Sequence, residues 1–185
     1  MVTNRSLTSL EREEATLVFA DSVAFDAVRI LERDPWPLRT ASLGTRLRGL
    51  PATETNAFAL GNTLRFSRLL RTGESAEPTE RLPDMAWIVH ELTHVWQFQH
   101  FGWIYLLRAL AAQARLGAAA YRYSAADDLE AKGRDLQSQR DSGRRFGDFN
   151  AEQQGDIARD FYFARKRDMD LSGWLPYIEE MRSAP

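Results

Sequence analysis

The chain has 185 residues, no cysteine, 44% hydrophobic and 27% charged residues. That is enough for one core of ordinary size, and it excludes disulfides, thiolate metal sites and any cysteine nucleophile. A formal charge of −2 argues against a general nucleic-acid binder.

Met1 to Ser6 is followed by the charged run Glu11-Arg12-Glu13-Glu14. No apolar run follows a basic start, so the expectation is a cytoplasmic protein, or one exported without a cleaved signal peptide. Thr8 or Ser9 caps a first helix through about Phe19, with Leu10, Ala15, Val18 and Phe19 as its apolar stripe. Phe25 to Leu31 alternates and predicts a short strand. Asp34-Pro35-Trp36-Pro37 and the stretch to Asn56 break regular structure. Ala57 to Phe66 predicts a second strand, with Gly61-Asn62 as a bulge or kink inside it. Thr72 to Pro83 predicts a loop, and Asp84 an N-cap for a helix through about Gln99. Trp103 to Tyr121 is the most apolar stretch, but Arg108, Gln113 and Arg115 interrupt it, so it predicts a buried helix rather than a transmembrane one. A charged helical segment around Ser124 to Arg140 follows. Asn150 and Gln153 have capping-box spacing and start a last long helix through about Lys166. The sum is one α+β domain over residues 1–185, mostly helical, with a small sheet ahead of the central helix.

The chain has three histidines, all within the eleven residues from His90 to His100. His90-Glu91-Leu92-Thr93-His94 is an H-E-x-x-H pattern on a predicted helix. A spacing of four puts both imidazoles on one face, a turn apart, where each can reach one Zn²⁺ at about 2.0–2.1 Å. Glu91 is rotated toward the side where a water on that ion would lie, as a general base requires.

Two residues compete as third ligand. His100 has the metzincin spacing, but Gln97 stands where that pattern has a helix-ending glycine. An unbroken helix carries His100 about 9 Å beyond His94. Glu152, four residues before Asp156 on a second helix, would complete a His₂Glu set with an open position, and is preferred. Asp156 then lies where it can hold the free N–H of a ligand imidazole. For a transition-state donor Tyr121, Tyr123, Tyr162 and Arg159 are candidates that spacing does not separate, and a core or surface role suits each of them. The strand Ala57 to Phe66 reads equally as ordinary scaffold or as an edge that pairs with extended substrate.

Leu60-Gly61-Asn62-Thr63-Leu64-Arg65-Phe66, followed by His90 to Gln97 (HELTHVWQ), resembles a bacterial zincin-like family. Its members include the metallopeptidase-like core domain of contractile injection systems, with Vgr-related and type VI secretion-associated proteins among them. Val18 to Ser22 and Phe149 to Gln154 are similar to that family's opening segment and late helix. The resemblance implies a zincin fold, zinc on His90 and His94, Glu91 as base, and Glu152 rather than His100 as third ligand. Ala20 departs from it, standing where relatives often have Gly. The leading expectation is a zinc-dependent hydrolase, a metallopeptidase acting on peptide or protein substrate. The alternative is a non-catalytic partner of a secretion spike or effector, with a structural zinc. A growth-inhibitory toxin is the third reading.

Overall fold

The computed structural model describes residues 1–38, 56–103 and 122–184. Its four strands are β1 (Thr3–Arg5), β2 (Arg29–Glu32), β3 (Ala57–Leu60) and β4 (Thr63–Phe66), ordered β1-β2-β4-β3. β1 runs antiparallel to β2, with Asn4 opposite Leu31. β2 runs parallel to β4, with Ile30 opposite Leu64, and β3 returns antiparallel along β4. The helices among the described residues are α1 (Ser9–Phe19), α2 (Pro78–Phe101), α3 (Leu129–Asp141), α4 (Ala151–Lys166) and α5 (Leu175–Arg182). The architecture is the expected α+β one, with the sheet ahead of the central helix.

α2 is that central helix. Met85, Ile88, Val89, Leu92, Val95 and Trp96 are all buried, against the sheet on one side and α4 on the other. From the sheet come Ile30, Leu64 and Phe66, the last meeting Trp87 edge-on at 5.1 Å. From α4 come Ile157, Ala158 and Phe161, and α1 adds Ala15, Val18 and Phe19. A helix apolar on most of its circumference is stable only when covered in this way.

The local chemistry explains where the elements end and where sequence patterns misplace them. Thr8, rather than Ser9, caps α1, and it pairs reciprocally with Glu11 in a capping box. Phe25 to Ala27 form a 3₁₀ turn, so the second strand starts only at Arg29. Gly61-Asn62 is not a bulge within one strand but the two-residue turn of a β3–β4 hairpin. Gly61, with φ +59°, takes the first turn position, which glycine occupies without strain. α2 begins at Pro78, six residues before the expected cap at Asp84. Proline suits the first helical position, because its fixed φ is helical and its missing N–H has no partner there anyway. Pro83 then removes only one early bond. Asp84, inside the helix and buried, accepts from the Arg71 amide (2.7 Å) and from Arg68 Nη1 (2.8 Å), tethering the segment that leaves β4. α4 does start at the Asn150–Gln153 capping box and does run to Lys166. It is not the last helix: α5 follows, packing Tyr177, Ile178 and Met181 into the core, while Arg182 donates to the Leu17 and Val18 carbonyls of α1. The apolar segment after Trp103, through Tyr121, lies outside the described residues.

Ala20, at the end of α1, has φ +47° and ψ −122°, a conformation disfavoured for any residue with a Cβ. It is held there by its N–H, which donates to the Thr16 carbonyl (3.0 Å). Ala20→Gly is therefore expected to stabilise the fold by about 1 kcal/mol, seen as a higher urea midpoint at unchanged slope. An unchanged or lower midpoint would show that this turn carries no strain.

Candidate metal centre

The first turns of α4 lie across the middle of α2, and this crossing builds the site. α2 supplies His90, Glu91 and His94; α4 supplies Glu152, Gly155 and Asp156. One donor atom each from His90, His94 and Glu152 falls within 4.8 Å of the others. His90 Nε2 is 3.5 Å from Glu152 Oε2, and His94 Nε2 is 3.7 Å from Glu152 Oε1. Three donors about 2.0–2.1 Å from one tetrahedral ion stand about 3.3 Å apart, so the cluster would have to draw in from its 4.8 Å limit to hold zinc through one Glu152 oxygen. The side chains are each one-eighth to one-fifth exposed, so the cluster opens to solvent on one side.

Behind the donors, His90 Nδ1 lies 3.1 Å from Asp156 Oδ1, the carboxylate the sequence suggests for it, close enough for an ion pair but not aligned as a hydrogen bond. Arg159 Nη1 holds Asp156 at 2.6 Å and also pairs with Asp160. On the other histidine, Nδ1 of His94 is 2.7 Å from Gln97 Oε1. His100 is outside the cluster: its Nδ1 faces the Trp96 carbonyl at 2.9 Å and its ring lies on that of Trp96, 4.9 Å between centroids.

Glu91 is 4% exposed, and its Oε2 has no hydrogen-bond partner among the described residues. Burial pushes this carboxyl above the ordinary carboxylate range, the positive charge of His90 and His94 pulls it back in part, and the charge of Glu152 adds to the rise. The Ala59 backbone on β3 also reaches it, so the hairpin edge borders the site. Glu152 moves the opposite way. Burial alone would raise it, but its contact with His90 and the charges of both histidines hold it low. Two carboxyls driven apart in this manner separate a group that stays anionic from one able to carry a proton. Burial would lower the His90 pKa, yet Asp156, Glu152 and Glu91 together push it up to about 10. The pocket thus favours positive charge at this spot, supplied by a proton in the metal-free protein.

Gly155 is a residue the sequence pattern does not single out. A Cβ there would stand 2.8 Å from His90 Cε1 and 2.9 Å from His90 Nδ1, closer than real contacts allow. Its absence makes the slot in which the ring lies. The only signal in the sequence is a glycine in a helix interior with no turn to justify it. The donor candidates fare differently. Tyr123 donates to Asp160, Tyr162 to Glu14, and Arg159 is spent on Asp156 and Asp160. Tyr121 lies outside the described residues.

Gly155→Ala improves helix propensity by up to about 1 kcal/mol, yet it must displace His90. The expected outcome is a folded variant whose zinc affinity, measured by chelator competition, falls by roughly tenfold or more. Unchanged affinity would show that His90 need not occupy this slot.

No family model matches the chain. It is 29% identical over 183 residues to the type VI secretion system spike protein VgrG2b of Pseudomonas aeruginosa, a match covering 98% of this chain and 15% of that protein. The solved effector domain of Pseudomonas aeruginosa VgrG2b is similar with a TM-score of 0.58 at 26% identity, over 98% of this chain and 84% of that one. Among the described residues no helix is long and apolar enough to cross a membrane. The chain spans a small part of the spike protein, and the part it matches in structure is the effector domain, to which it is homologous.

Proposed function

We propose that this chain is a zinc-dependent hydrolase of the peptidase type that serves as a type VI secretion effector. The observation that carries the reading is the convergence of His90, His94 and Glu152 around a point bordered by the buried carboxyl of Glu91. The relation to the VgrG2b effector domain supports delivery with a secretion spike, and a spike component is the proposed partner.

Bound between the helices, zinc would act as a Lewis acid on a substrate carbonyl and bring the pKa of water toward about 7. The chain's own residues do the rest. Glu152 contributes the negative charge that holds a dication, and Asp156 and Gln97 orient the two imidazoles. Glu91 accepts a proton from the attacking water and delivers it to the departing amine, so that a peptide bond and one water become a carboxylate and an amine. Burial raises its pKa above the ordinary carboxylate range, the direction that favours returning the proton to the amine. Among the described residues β3 is the edge strand of the sheet on the side of Glu91, β1 being the other edge, and its bonding groups offer an extended peptide a place beside Glu91.

A purely structural ion is the less favoured reading. Structural zinc sites close with four protein ligands, whereas among the described residues this cluster has three, each partly exposed. The two helices are also already joined without an ion, through buried side chains and through the Gln97 hydrogen bonds to Ala151 and Gln154.

Glu91→Gln separates the two. The variant is expected to bind zinc at the wild-type stoichiometry while hydrolysis of a fluorescent casein falls by roughly 10²–10⁴-fold. Growth inhibition on expression in a bacterial host, with and without an export signal, falls with it. Wild-type activity or toxicity in Glu91→Gln would contradict the proposal.

A further inference from the structure

Gln97 and Gln154 are 1% and 4% exposed, and neither belongs to the donor cluster. Gln154 Nε2 donates to two backbone carbonyls, Phe146 (3.0 Å) and Phe149 (3.1 Å). A carbonyl only accepts, so this end of the amide must be its NH₂ and the oxygen must face the other way. That oxygen meets Gln97 at 2.8 Å and requires a donor, so the end of Gln97 it touches is Nε2. The second N–H of Gln97 goes to the Ala151 carbonyl at 3.1 Å, again an obligate acceptor. Flipping either amide would set oxygen against oxygen in a buried space. The Gln97 oxygen is therefore committed to His94 Nδ1, 2.7 Å away, and the ring nitrogen facing it must carry the proton.

We infer that Gln97 and Gln154 form a relay of two amides that fixes His94 as its Nδ1–H tautomer. In the neutral ring Nε2 is then left with a free lone pair on the side of Glu152. Both are positioning residues. The relay rests on the carbonyls of Phe146, Phe149 and Ala151, the last adjoining Glu152 in the chain. The same bonds therefore set the ligating edge of His94 and the start of α4 in register. The role in ion binding rests on the zinc reading above; the tautomer does not, because it follows from protein groups alone.

Two measurements test this. In the metal-free wild type, at a pH high enough for the ring to be neutral, two-bond ¹H–¹⁵N spectra of His94 should show a protonated Nδ1 and an unprotonated Nε2; the reverse pattern would overturn the relay. Zinc affinity by chelator competition is then compared in two variants of similar side-chain volume. Gln97→Met removes the acceptor for His94 and should weaken zinc by roughly 10–100-fold. Gln97→Glu keeps that acceptor while opposing oxygen to the Ala151 carbonyl and the Gln154 oxygen. It should bind zinc more tightly than the Met variant despite a larger loss of thermal stability. Affinities that instead fall in step with stability in both variants would reduce Gln97 to a structural contact. A wild type with the Nδ1–H tautomer but no zinc would support the relay and refute the hydrolase reading.

Discussion

The site depends on the packing of α2 against the first turns of α4. His90 and His94 lie on the face of α2 that meets α4, and Gly155 is what lets the helices approach closely enough for Glu152 to stand between the two imidazoles. Burial of Ile88, Val89, Leu92 and Val95 from α2, with Ile157, Ala158 and Phe161 from α4, holds this contact. Each of the larger side chains contributes about 1.5–3 kcal/mol on leaving water, so together they outweigh any single polar contact in the site. The donor cluster is thus assembled by the core. Its geometry is set by protein contacts alone, which is what preorganised binding of the proposed ion would require.

Charge completes what packing begins. Three carboxyls, Glu91, Glu152 and Asp156, converge on two histidines in a region shielded from water on most sides. Such a cluster repels itself unless a cation sits within it. In the metal-free protein the pressure appears as the raised pKa of His90, pushed up by Asp156, Glu152 and Glu91 against the effect of burial. Arg159 neutralises Asp156 from behind, so the unbalanced negative charge faces inward. Gln97 bonds the Nδ1 of His94, whereas Asp156 faces the Nδ1 of His90 at 3.1 Å as an ion-pair partner without an aligned hydrogen bond.

Much of this was legible in the sequence, for identifiable reasons. H-E-x-x-H needs only the helical repeat to place two imidazoles on one face, and the Asn150–Gln153 capping box marks the start of the helix that brings Glu152 and Asp156. What stayed hidden depends on tertiary neighbours. Pro78 and Pro83 look like breakers until the chain shows that the first is an initial helical residue and the second costs only one bond. Gly61-Asn62 looks like a kink until a parallel β2 places β4 in the sheet interior and makes the pair a hairpin turn. α5 is short and needs the core against Tyr177 to exist. Gly155 and Gln97 gain meaning only from what lies opposite, a ring in one case and a second amide in the other. Gln97 did lie within sight of the motif, three residues past His94 and so on the same helical face.

The central claim is that one divalent ion sits between α2 and α4. Its most direct test is diffraction from crystals of the zinc-loaded protein on both sides of the zinc absorption edge. The account predicts one anomalous peak about 2.0–2.1 Å from His90 Nε2, His94 Nε2 and a Glu152 oxygen, with no other protein ligand. No peak between the helices, or zinc held by His100 in place of Glu152, would contradict it.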